Sequence, residues 1–151
     1  MEEAWIKFDV VKLRQLKEHY EAAIESIKEQ LPNINLNSKK ELLNFFEKNL
    51  NIHLQTSRIK EIEACLSSYT HDQEEYYILL GVTYYFKLKY SLKNYINWVL
   101  KNESNGIIYL RHWWGDWVLG NKQPLPGSPE ILECVIGHSN NISLGGDNGS
   151  K

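Results

Sequence analysis

The stretch from Gln73 to Lys101 constrains this chain most, because it reads as one long helix. Apolar residues recur at Tyr77, Tyr84, Leu88, Leu92, Tyr95 and Val99, at steps that return to one helical face. Such a helix is roughly 40 Å long. Gly81 lies on the same stripe, where a missing side chain would permit close approach of another helix. Lys87, Lys89 and Lys93 fall inside the span and argue against a membrane crossing. Tyr77, Tyr84 and Tyr95 are assigned to the core.

The preceding residues read as shorter helices. Asp9 is a good N-cap, and Leu13, Leu16, Tyr20, Ile24, Ile27 and Leu31 form one stripe that Pro32 closes. After a polar link at 33–37, Ser38 stands three residues before Glu41, the spacing of a capping box. Leu42, Leu43, Phe45, Phe46 and Leu50 follow in a short, heavily apolar helix. Thr56-Ser57 signals another N-cap, for a helix carrying Ile59, Ile62 and Leu66. Ser67 to His71 breaks that pattern, and Asp72 can cap the long helix.

Beyond Asn105-Gly106, a turn signal, the periodicity changes. Ile107 to Leu110 reads as a strand, with Trp113 to Leu119 as its partner in a hairpin. Pro124, Pro126, Gly127 and Pro129 make an extended segment, and the Asn, Gly and Ser of the final stretch predict disorder. The expected fold is therefore mainly α: long antiparallel helices with a small helical tip, then a short β-hairpin and a disordered C-terminal tail. The expected divisions are a helical domain over 1–105, strands and an extended Trp/Pro-rich segment over 106–136, and the tail over 137–151.

The charge is distributed unevenly. The whole chain carries a formal charge of only −2, so any nucleic-acid contact must come from a local patch. From Tyr76 to Asn102 there is no Asp or Glu, yet Lys87, Lys89, Lys93 and Lys101 fall there. A helical wheel puts Lys87, Tyr90, Lys93, Asn94, Asn97 and Lys101 opposite the apolar stripe. Lysines reach phosphates and asparagines donate to phosphate or sugar oxygens, contacts that position a duplex without reading its sequence. A solvated face is the simpler alternative, but such a face usually mixes signs.

Several short stretches, in order, resemble the thumb of family A DNA polymerases. Met1 to Asp9 (MEEAWIKFD) is similar to the family's ME-x-x-G-[IV]-x-[VL]-D, with Trp5 at the glycine. Ile34 to Leu42 (INLNSKKEL) resembles I-N-x-N-S-P-K-Q-L, with lysine at the proline, and Phe45-Phe46-Glu47-Lys48 is similar to L-F-E-K. Thr56-Ser57 resembles the family's S-T-S, and His71 matches the histidine of its H-P turn. Tyr84 to Ser91 (YYFKLKYS) resembles part of Y-R-x-L-x-K-L-x-S-T-Y, with Thr83 where the arginine would stand. Asn105 to Tyr109 is similar to the strand that follows. The resemblance covers residues 1 to about 110 and fades beyond.

The resemblance implies a thumb that tracks the minor-groove side of a primer–template duplex. Asn35 and Ser38 match tip positions that touch the DNA backbone, Lys87 matches a backbone-contacting lysine, and Lys89 lies beside it. The palm motifs D-Y-S-x-x-E, K-x-x-x-[YF]-G and H-D-E are not found, and Asp116 and Asp147 are isolated. A thumb cut off before its palm would be inactive alone, would need no cofactor or metal, and would bind duplex DNA, with a separate palm subunit as a further partner. The competing expectation is a stand-alone interaction module, such as a phage-type regulator or inhibitor, docking through Trp113, Trp114 and Trp117. A small core under the strands is the plainer reading of those tryptophans.

Other chemistry is thinly represented. Cys134 and His138 have the spacing of half a zinc site, with no second ligand pair. Cys65 and Cys134 make no disulfide framework, though a single bridge stays open. The acidic Met1-Glu2-Glu3 start is unlike a signal peptide, so a cytoplasmic location is expected and the Asn-x-Ser triplets at Asn102, Asn141 and Asn148 are read as chance. Gly145 to Lys151 lacks the GK[ST] of a phosphate loop.

Overall fold

The computed structural model describes residues 3–54 and 58–144. They are mainly helical, with small antiparallel sheets. No described helix is long and apolar enough to cross a membrane. The chain divides into two compact units, Met1–Glu21 with Tyr90–Lys151, and Ala22–Lys89. The chain's opening strand pairs with residues beyond 105, so the first unit joins residues from before 22 and after 89.

That strand, β1 (Trp5–Phe8), was not signalled by the sequence pattern. Helix α1 (Val10–Gln30) follows it as expected. Asp9 caps the helix, its carboxylate accepting the Lys12 N–H at 3.1 Å. Next come α2 (Lys39–Asn49), α3 (Ile59–Ala64) with a 3₁₀ turn at Cys65–Ser68, and α4 (Glu74–Ser91). A π-helical segment, Leu92–Ile96, joins α4 to α5 (Asn97–Asn102). The remaining elements are β2 (Ile107–Tyr109), β3 (Arg111–Trp113), β4 (Asp116–Val118), the single turn α6 (Pro129–Leu132) and β5 (Val135–His138).

In the first unit β1 is the middle strand of a sheet ordered β2-β1-β5, antiparallel on both sides. Ile6 faces Ile108 on one edge and His138 on the other. A bulge between Lys7 and Phe8 shifts the register toward β5. Ile6 and Phe8 lie two apart, share the inner face and are buried with Leu13, Ile96, Val99, Leu119 and Ile131. The predicted strand at Ile107 thus pairs with β1 and not with the Trp-rich stretch. That stretch forms its own hairpin, β3–β4, turning at Trp114-Gly115.

The expected tail also begins later than 137. Gly137 and His138 are in β5, the Ser139 N–H donates to the Trp5 carbonyl at 3.0 Å, and Ile142 and Leu144 are buried. Two apolar anchors and a free strand edge hold this segment, despite its polar composition. Residues 145–151 lie outside the described residues, as do Thr56 and Ser57 with their expected cap.

In the second unit Leu42 and Phe46 of α2, Ile62 of α3, and Leu79, Val82 and Tyr85 of α4 are buried. Ser38 Oγ accepts the Glu41 N–H at 3.3 Å, the serine half of the capping box. Gly81 serves the close approach expected of it: an added Cβ would lie 3.1 Å from Leu31 Cδ2. Tyr77 and Tyr84, expected in the core, are 58 % and 53 % exposed, whereas Tyr95 is buried. Apolar side chains surround α4 from Tyr76 to Phe86, so periodicity there selects no face. Packing chooses the arc of Leu79, Val82 and Tyr85, and the tyrosines beside it keep their hydroxyls in water.

Asn105 (φ 55) and Gly106 (φ 82) form the turn that delivers β2 to β1. The Phe8 N–H donates to the Gly106 carbonyl at 2.7 Å, and an added Cβ at Gly106 would meet Phe8 O at 2.6 Å. Gly106→Ala combines strain and a backbone clash, so it is expected to lower stability by about 2–3 kcal/mol. Urea unfolding checks this, as a lower midpoint with unchanged slope.

Candidate nucleic-acid interface

Ser38 and Asn35 stand at the mouth of α2, and both side chains are engaged in building it. Asn35 Oδ1 accepts the Asn37 N–H at 3.0 Å, and the Ser38 N–H donates to the Asn35 carbonyl at 3.1 Å. The turn is closed before any ligand arrives. Asn35, Lys39 and Lys40 are exposed. The first amides of a helix have no intrahelical acceptor, and the macrodipole there favours an anion. Lys39 and Lys40 were not among the expected contacts, although INLNSKKEL writes them directly after the cap.

Lys87 is exposed but already paired. Its ammonium lies 2.6 Å from Glu63 Oε2, the two side chains being 49 % and 45 % exposed. Lys89 projects from α4 with its Nζ 5.6 Å from the centre of the Tyr85 ring. Thr83, at the position of the family's arginine, is buried, and its hydroxyl has no hydrogen-bond partner among the described residues. A longer cation there would have to bury its charge.

The face expected to run from Lys87 to Lys101 does not stay whole. Lys87 and Lys89 belong to the second compact unit, with Asn35 and Ser38; Lys93, Asn94, Asn97 and Lys101 belong to the first. The Asn97 N–H donates to the Leu92 carbonyl, five residues back, so a wheel drawn at 3.6 residues per turn fails across this segment. Lys93, Asn97 and Lys101 are exposed; Asn94 is half-buried and its carbonyl accepts from Asn121 Nδ2 at 3.0 Å. Asn97 and Lys101 are four apart on α5 and share a face. Tyr90 is exposed and its hydroxyl donates to Gln123 Oε1.

The tryptophans separate into two environments. Trp117 packs partly buried against the first unit's core, with the His112 ring 4.7 Å away. Trp113 and Trp114 are 42 % and 85 % exposed, so a small core under the strands accounts for only one of the three. Lys122 reaches over Trp113, its Nζ 5.4 Å from the ring centre.

Among the described residues no group of three His, Cys, Asp or Glu side chains could hold a metal ion. Both cysteines are free thiols. Cys134 is buried and its Sγ approaches the Glu130 carbonyl at 3.6 Å; His138 Nδ1 lies 2.8 Å from the Ser139 carbonyl. No family model matches this chain, and no curated protein or solved structure is significantly similar to it.

Tyr95 ties the π segment to the loop after β4, its hydroxyl donating to the Pro124 carbonyl at 2.8 Å. Burial, reinforced by nearby Tyr90, pushes its pKa up to about 12 from 10.0. The folded state therefore holds this proton more tightly than the unfolded chain. That contribution is fully present below pH 10 and is lost as pH rises toward 12. Denaturant titrations between pH 9 and 12 are expected to show this fall, and Tyr95→Phe should flatten it.

Proposed function

We propose that this chain grips the backbone of duplex nucleic acid without reading its sequence, in the manner of a family A polymerase thumb. In this reading α2 with α3 form the small tip of the thumb. The observation that carries it is the exposed Lys93, Asn97 and Lys101 set on a helical stretch with no Asp or Glu between Tyr76 and Asn102. The α2 mouth supports it: exposed Asn35, Lys39 and Lys40 surround amides suited to a phosphate oxygen. Lys87 contributes less than the sequence suggests, since Glu63 already satisfies its ammonium.

The reading assigns no catalysis to the chain itself. Nucleotidyl transfer needs paired carboxylates holding two metal ions, and the palm motifs that supply them are not found in this sequence. A palm-bearing chain is the partner such a thumb would serve. A protein-docking module through Trp113, Trp114 and Trp117 is the second reading, favoured by the exposure of the first two. It predicts recovery of one stoichiometric protein partner that nuclease does not release.

Fluorescence anisotropy with a short blunt duplex tests the main reading. Wild-type protein is expected to bind weakly at low salt, with affinity falling steeply as salt rises. Lys93→Ala with Lys101→Ala should reduce the log–log salt slope by about 1.8, roughly 0.9 for each phosphate no longer neutralised. No binding, or a double variant with an unchanged slope, contradicts it. Glu63→Gln should tighten binding about two- to five-fold by freeing Lys87, the scale of an exposed ion pair.

A further inference from the structure

The β3–β4 hairpin carries a feature that the folding of this chain does not explain. Trp114 occupies φ +53 and Gly115 φ +82, the left-handed pair of a two-residue hairpin turn. Asparagine suits the first of these positions; a bulky residue there is strained. The residue carries backbone strain that burial does not offset, because Trp114 is 85 % exposed.

Its surroundings indicate what an exposed indole could meet. Trp113 presents a second ring, 42 % exposed, 6.2 Å from Trp114 and nearly perpendicular to it. Lys122 stands over Trp113, and Arg111 is exposed on the same strand. A groove of about 520 Å³ is lined by these rings together with Lys122, Trp117, Val118 and Leu125. Protein anchors sit inside an apolar patch that excludes water. Here the rings are bordered by exposed Arg111, His112, Asp116 and Lys122.

We propose that this hairpin is a stacking platform for the bases of single-stranded nucleic acid, with Lys122 and Arg111 taking the phosphates. Every base offers a π-face to an indole, and a basic border tracks the strand's backbone. The loop that holds Lys122 is fixed to the basic helical segment: Asn121 Nδ2 donates to the Asn94 carbonyl at 3.0 Å. Lys122 and Lys93 are each one residue from that contact. A strand lying on the rings thus has Arg111 on the hairpin and Lys122 over Trp113 as its cations. The platform stands on its own observations and does not require the duplex grip.

Trp114→Asn gives a clean test, because asparagine favours the turn while removing the ring. A labelled DNA strand of about 12 nucleotides and its blunt duplex are titrated separately at low salt. The variant is expected to lose about ten-fold or more in affinity for the strand. Its duplex affinity should be unchanged, and its urea midpoint no lower than wild type. Lys122→Ala should reduce the strand's salt slope by about 0.7. A folded Trp114→Asn protein that binds the strand as well as wild type overturns the proposal. So does a wild-type protein that ignores the strand while an apolar helical peptide quenches its tryptophan fluorescence, which would assign the rings to a protein partner. A wild-type protein that binds the strand but not the duplex would contradict the thumb-like reading and leave the platform standing.

Discussion

The first compact unit depends on one short strand being hydrogen-bonded on both edges. β1 has four residues, Trp5–Phe8, yet it brings together β2 from just after α5 and β5 from more than a hundred residues on. Closing so long a loop carries an entropic cost that grows only slowly with its length. Ile6 and Phe8 offset it by each burying a full side chain, worth about 1.5–3 kcal/mol apiece. The sheet fixes both ends of α1's entry: the Asp9 N–H donates to the Cys134 carbonyl at 2.7 Å while its carboxylate caps the helix. Loosening β1 would release the hairpin and the π segment packed around the same core.

That dependence bears on the basic surface as well. Lys93, Asn97 and Lys101 project from a helical segment whose inner residues, Tyr95, Ile96 and Val99, belong to the β1 core. Asn121 and Tyr95 then bind the loop after β4 to that segment. Cations held this way are presented on an ordered backbone, which lowers the entropy cost of meeting a phosphate. Lys87 differs: its ion pair with Glu63 must be broken or shared before it can serve a ligand.

Much of the helical half was legible from local chemistry. Asp9, Pro32, the Ser38–Glu41 pair and Asn105-Gly106 each act within a few residues, so the sequence displays them directly. The misjudged features depend on partners far along the chain. β1 and β5 are too short to show alternation, and their pairing is set by burial of Ile6, Phe8 and Ile108. α4 is apolar on nearly all sides, so the outward turn of Tyr77 and Tyr84 could come only from tertiary packing. The candidate site shows the same division. The lysines' exposure followed from their spacing and the absence of nearby acids. The Glu63 partner of Lys87, 24 residues away, and the cation over Trp113 did not.

The central proposal is a duplex grip by the exposed residues of the π segment and α5 in the first unit; the mouth of α2, in the second unit, is a separate candidate contact. Amide chemical-shift mapping of the labelled protein against a short blunt DNA duplex at low salt addresses both at once. The account predicts that the largest changes cluster at 35–40 and 93–101 and fade together as salt is raised. Shifts confined to other surfaces, or a spectrum indifferent to the duplex, would contradict it.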